Sequence, residues 1–193
     1  MALIPPNTDL YMVGKGVLWI GTWSSTTPPT DPGDYTRMGN CPSFECQPEV
    51  IRLEHFSSQS GYRTRDKYPV IETKYTLTFD LDEFAALNLT KFLVGTFSDP
   101  DISMFEGVNL EYAIKFVSDN PTGPNMTWRF WRCVLSPNGA LQLIADEWAV
   151  MSFTAEGLAD VTNHVASPYA TITYKTTTTT STTSSSTTTT APP

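Results

Sequence analysis

The stretch Thr73–Leu81 alternates without a slip: Tyr75, Leu77, Phe79 and Leu81 are apolar, and Lys74, Thr76, Thr78 and Asp80 between them are polar. A period of two puts the two sets on opposite faces, so this is a strand with one buried and one wet face. Such a strand requires partners on its edges and a core beneath it, which constrains the whole chain. The alternation then stops, and Phe84, Ala85, Ala86, Leu87, Leu89, Phe92 and Leu93 crowd a short span. Asp82 suits an N-cap, Glu83 a first helical turn and Gly95 the position after a helix, so a helix is predicted over 83–94.

Other strand signals surround this unit. Val17–Trp23 is a continuous run of strand formers, followed by a Pro-rich loop over 25–34. Phe44–Gln47 alternates weakly up to Pro48, and a second strand is predicted near 50–56. The polar segment 57–69 then joins two strands, and hairpin connections that long tend to be functional. Leu110, Tyr112, Ile114 and Phe116 alternate, Met126–Leu135 reads as a strand, and Pro137-Asn138-Gly139 as a turn. Residues 140–145 (Ala-Leu-Gln-Leu-Ile-Ala), 147–157 and 168–174 complete the strand-like runs. The expected class is mainly β: a β-sandwich or barrel with one flanking α-helix. Residues 1–12, with Pro5-Pro6, form an arm; 13–175 form one domain; 176–193, made of Thr, Ser, Ala and Pro alone, form a low-complexity tail expected to be disordered or extended.

The net charge is −8 over 193 residues. An acidic balance repels a phosphate backbone, which argues against DNA binding but not against DNA passing nearby. The start of the chain lacks a basic region followed by a long apolar stretch, and no apolar run reaches membrane-spanning length. Cytosolic synthesis with reduced thiols is therefore expected for Cys41, Cys46 and Cys133. The two histidines, His55 and His164, sit in no catalytic or metal-ligand motif, and Cys41 and Cys46 lack a second ligand pair. Asp80, Asp82 and Glu83 are better read as strand face and helix cap than as paired catalytic carboxylates. The five tryptophans are read as core rather than as a sugar-binding face. No catalytic residue, cofactor site or metal site is assigned.

Three stretches together resemble the major tail tube proteins of long, non-contractile-tailed bacteriophages. They are Tyr35–Cys46 with its Met-Gly-Asn step, the long-looped hairpin running into Thr73–Gly95, and the closing stretch Met151–Ile172. The resemblance implies a structural virion protein whose subunits form hexameric rings with a continuous inner β-barrel, stacked into a hollow conduit for genome delivery. It implies a ring-stacking loop at Ser60, Gly61, Tyr62, Arg63, Thr64, Arg65, Asp66 and Lys67. It suggests lumen-facing residues at Arg52, Glu54, Glu72, Lys74, Thr76, Thr78 and Asp80, and a helix near the subunit interface through Glu83, Phe84, Leu87, Asn88 and Lys91. The implied partners are other copies of the chain, a tape measure protein in the lumen during assembly, and tail tip, distal tail and tail terminator proteins. DNA would pass without specific binding, no membrane is involved, and the protein would be assembled in the host cytoplasm into the virion tail. Two alternatives accompany this reading. One is the inner tube of a contractile tail or type VI secretion system. The other is a carbohydrate-binding β-sandwich with a Thr/Ser linker.

Overall fold

The computed structural model describes residues 6–30, 33–59, 61–144 and 146–175. The expectation for the tail at 176–193 lies outside the described residues. In chain order the strands are β1 (Gly16–Thr22), β2 (Thr36–Arg37), β3 (Ser43–Arg52), β4 (His55–Ser57), β5 (Thr64–Lys67) and β6 (Val70–Leu81). The helix α1 (Ala86–Phe92) follows, then β7 (Thr96–Ser98), β8 (Asp101–Ser103), β9 (Glu111–Ser118), β10 (Asn125–Pro137), β11 (Met151–Gly157) and β12 (Ala170–Lys175).

The main sheet runs β2-β1-β9-β10-β11-β6-β3, with every pairing antiparallel, and β12 also pairs β10. One irregularity explains the branching. The β9–β10 register slips by one residue between Phe130 and Cys133, a bulge that bends β10. Before the bulge β10 pairs β12; after it, β10 pairs β11. The sheet thus divides into two wings that share β10, one of β2, β1, β9 and β12 and the other of β11, β6 and β3. Their inner faces meet. Phe44 of β3 stacks on Phe116 of β9 at 5.1 Å, and within the second wing Phe79 of β6 stacks on its neighbour Phe153 of β11 at 5.0 Å. The result is an antiparallel sandwich with one short helix, and the described residues of a single chain do not close a barrel.

The predicted alternation of β6 is present: Tyr75, Leu77, Phe79 and Leu81 are buried, while Thr76, Thr78 and Asp80 are half-buried and Lys74 is exposed. Other expectations are corrected. The strand predicted at 50–56 is instead the end of a longer β3 that runs through Pro48, plus the separate β4. Pro48 is tolerated because β3 is an edge strand, paired only to β6, so a missing N–H can face away from the ladder. Residues 140–144 form no strand; they belong to a long connection in which Leu143 and Ile144 are exposed.

The helix is shorter than predicted, Ala86–Phe92 rather than 83–94, and its N-cap is Ala85 with no side-chain cap. Asp82 is not the cap because it accepts a hydrogen bond from the Asn40 side chain at 2.6 Å. Glu83 accepts one from the Asn40 backbone N–H at 3.2 Å. Gly39, at φ +81°, leaves the space this carboxylate occupies; a Cβ there would sit 2.1 Å from Glu83 Oε2. Two acidic residues that look like a helix start therefore tie the Met38-Gly39-Asn40 turn to the end of β6. Phe92 anchors α1 edge-on against Phe153 at 5.6 Å. At the helix C-terminus the left-handed residue is Val94 (φ +49°), not Gly95. Val94 N–H reaches Lys91 O and Gly95 N–H reaches Thr90 O, a Schellman closure. Gly95 is required for a different reason: a Cβ there would lie 2.0 Å from Ser103 O.

A β-branched residue at positive φ carries a steric cost of about 1 kcal/mol. Val94→Gly is expected to raise the unfolding free energy by a comparable amount, and Leu77→Ala, at a fully buried site, to lower it by about 2–5 kcal/mol. Equilibrium unfolding followed by far-UV circular dichroism checks both.

Candidate functional site

The feature that organises the surface is the outward face of the β10-β11-β6-β3 wing. Register pairs in an antiparallel sheet point to the same side, so the face can be read across the strands. Ser43, Glu45, Gln47 and Glu49 of β3 oppose Asp80, Thr78, Thr76 and Lys74 of β6. Ser152, Thr154 and Glu156 of β11 oppose Asp80, Thr78 and Thr76 from the other side, and Ser136 and Val134 of β10 continue the rows. The face is polar and net acidic, with Glu45, Glu49, Asp80 and Glu156 against Lys74. Ser152 donates to Asp80 Oδ1 at 2.6 Å, and Lys74 lies 3.4 Å from Glu49.

Of the residues suggested for a lumen, Lys74, Thr76, Thr78 and Asp80 share this face, and Glu72, opposite Ile51, extends it toward the arm. Arg52 and Glu54 do not sit among them. A register shift at Ile51/Arg52 ends the regular ladder. Beyond it the Arg52 guanidinium donates to Tyr68 O at 3.3 Å, and Glu54 accepts from Arg65 at 3.0 Å. Both belong to the projecting arm. The β3 and β11 members of the face escaped the sequence reading, although Met151–Ala155 alternates much as β6 does.

The predicted long loop is itself a ribbon. β4 and β5 pair beyond the end of the β3–β6 hairpin. Cross-strand contacts stiffen it: His55 with Asp66 at 2.5 Å, Arg65 with Glu54, and the Arg63 guanidinium 4.1 Å over the Phe56 ring. Gly61 to Lys67 are all exposed, with Tyr62 at 74%; Ser60 lies outside the described residues. Leu53, Tyr68, Val70 and Ile71 add exposed apolar surface at the base of the arm.

The helix residues divide. Glu83 and Phe84 precede α1, and Phe84 is exposed. Leu87 is half-buried, and Lys91 lies over the Tyr112 ring at 4.5 Å, where burial lowers its pKa. Asn88 is corrected: it is 1% exposed and donates to Met38 O and Glu83 O, both at 2.8 Å, so it is an internal tie rather than a surface contact.

The tryptophans are corrected in part. Trp128 packs against the core as read, whereas Trp19, Trp23 and Trp131 are half-buried outside it and Trp148 is 95% exposed. The others are occupied by neighbours. Lys115 lies over Trp19, Arg132 over Trp23, His164 stacks on Trp131 at 3.7 Å, and Phe130 stacks on Trp128.

Nucleophilic chemistry finds little support. Burial pushes the Cys41 thiol up to about 11, and also raises those of Cys46 and Cys133, so the protonated thiol dominates near neutrality. Among the hydrogen bonds of the described residues neither imidazole meets a hydroxyl or a thiol; His55 pairs with Asp66 and His164 with Asp160. No group of three or more His, Cys, Asp or Glu among the described residues could hold a metal ion. No helix among them is long and apolar enough to cross a membrane.

Asp160 has a structural task. It is buried and accepts from Trp23 Nε1 at 3.2 Å, from Asn163, and pairs with His164 Nδ1 at 3.0 Å. Burial pushes its pKa up, but the hydrogen bonds from Asn163, His164 and Trp23 outweigh this and hold the carboxyl below 3.8. This knot fixes the loop leading into β12.

A family model described as "Protein of unknown function UCP028589" matches residues 11–102. No curated protein matches. Among solved structures, a chain of the PVC sheath-tube complex of an extracellular contractile injection system, in its extended state, overlays with a TM-score of 0.40 at 9% identity. That overlay covers 86% of this chain and 90% of the other. A chain of the anti-feeding prophage tube-terminating cap overlays with a TM-score of 0.38 at 9% identity, covering 90% of this chain and 93% of the other.

A carboxyl with a depressed folded pKa stabilises the fold above its unfolded pKa, and this contribution is lost as pH falls through the folded value. Asp160→Asn should therefore cost about 2 kcal/mol at pH 7. The gap to wild type should close below pH 3.8, which thermal melts across pH 2–7 would measure.

Proposed function

We propose that this chain is a structural subunit of a phage-like tail tube, self-assembling into a hollow conduit rather than acting as an enzyme. The observation that carries the reading is the outward face of the β10-β11-β6-β3 wing. It is polar across β3, β6 and β11 and continues onto β10 through Ser136, and its carboxylates outnumber its ammonium groups. A water-filled channel that passes DNA needs such a wall, because hydroxyls hold water and carboxylates repel phosphate. The same wing ends in an unpaired edge strand, β3, whose free backbone groups would be satisfied by pairing with a neighbouring copy. Closing a ring through such edges would give the inner barrel that one chain lacks. The arm beyond β3 and β6 would reach the next ring.

The sequence motifs resemble those of long non-contractile tails, whereas of the solved structures named above one is from a contractile injection system and the other from a tube-terminating cap. The reading common to both is the tube subunit, and a sheath partner binding the outer surface would identify the contractile version. A tape measure protein, tail tip and terminator proteins are the further partners this reading implies.

Negative-stain electron microscopy of the purified chain at rising concentration, with and without preformed tail tips, is the test. Hollow tubes or stacked rings are expected. A chain that stays monomeric under both conditions overturns the reading. Arg63→Glu/Arg65→Glu/Lys67→Glu in the arm should block elongation, and normal tubes from that variant would remove the arm from ring stacking.

A further inference from the structure

Among the described residues, the connection between β10 and β11 carries the most exposed of the large apolar side chains. Ile144 is 93% exposed, Trp148 95% and Leu143 81%. Asp146 and Glu147 lie among them, also exposed. Large apolar side chains grouped on one loop and flanked by charge mark an interaction surface. Its position in the fold identifies what it faces. Met151, at the start of β11, pairs with Leu81 at the end of β6. The arm departs from the opposite end of β6, at Val70. With 12 residues at about 3.3 Å each, β6 separates the two by roughly 36 Å. The arm and the loop cannot meet within one chain, but translation of a second copy along the strand direction brings them together.

Their chemistry is complementary. The arm shows exposed Tyr62 and Tyr68 beside Arg63 and Lys67, with Arg65 already engaged by Glu54. The loop offers apolar side chains beside two carboxylates. We infer that the loop bearing Leu143, Ile144, Asp146, Glu147 and Trp148 is the receptor for the β4–β5 arm of the next copy of this chain. This deepens the tube reading and rests on it for its biological setting. The interface is heterologous, because one copy gives its arm and receives on its loop, so it propagates as an open stack. Opposite charges set the register of contact, and the apolar residues supply its buried centre.

The test uses two full-length chains, each blocked at one end. Ile144→Ser/Trp148→Ser removes the apolar centre of the loop and leaves the arm; Arg63→Glu/Lys67→Glu disables the arm and leaves the loop. All four positions are exposed, and circular dichroism checks that both variants fold. In sedimentation velocity, below the concentration at which wild type closes rings through β3, each variant alone should remain a monomer, and the equimolar mixture should form a one-to-one dimer. Trp148→Ser placed in the loop-bearing chain should weaken that dimer at least tenfold. A mixture that stays monomeric overturns the inference, as does either variant self-associating as strongly as wild type, or a dimer indifferent to Trp148→Ser. Because this readout is a dimer and not a tube, it separates the two failures. Wild-type tubes with no mixed dimer would reject only the arm–loop contact. A mixed dimer without wild-type tubes would reject only the conduit.

Discussion

The burial of one face of β6 is the constraint on which the rest of the molecule depends. β6 is paired on both sides, by β3 and β11, and its inward side chains lie under the helix and the opposite wing. Phe79 stacks on Phe153, Phe153 receives Phe92 of the helix, and Phe44 carries the contact across to Phe116. These contacts join the two wings and the helix into a single apolar cluster. A strand with side chains of period two cannot slip by one residue without exchanging its faces, so this burial also holds every hydroxyl and carboxylate on the outer face.

The bulge in β10 is the second determinant. Without it, β10 would lack the local bend between its β12-paired and β11-paired halves. With it, β10 serves both wings, and Arg132 is turned outward to a two-point ion pair with Glu111 at 2.7 and 2.8 Å and to the ring of Trp23. The wings then splay on either side of Trp128, leaving an apolar cleft of about 830 Å³ lined in part by Tyr75, Phe130 and Tyr169. The proposed wall, the arm at one of its ends and the apolar loop at the other are all extensions of the same wing. This gives the proposed assembly a direction along the strands.

Much of this organisation was legible in the chain because it rests on local periodicity. The alternation of β6 and the length of the connection after β3 are properties of neighbouring residues; the first is present as read, and the second folds into the β4–β5 ribbon instead of a loop. The errors fall where a residue's partner is distant in sequence. Asp82 and Glu83 have the composition of a helix start, yet Asn40, more than forty residues earlier, claims both carboxylates. Asn88 looks like a surface polar residue, yet Met38 O draws it inward. The apolar run at 140–145 reads as a strand because hydrophobicity alone does not distinguish a strand from an exposed connection.

The sequence by itself therefore determined the class of structure and the two-sided character of its central strand, because side-chain spacing dictates which atoms can share a face. Only the tertiary structure decided which strands stand beside β6, where the bulge turns the sheet, and which acidic residues gather on one surface. Those outcomes depend on contacts between segments far apart in the chain, and no local pattern encodes the register in which they meet.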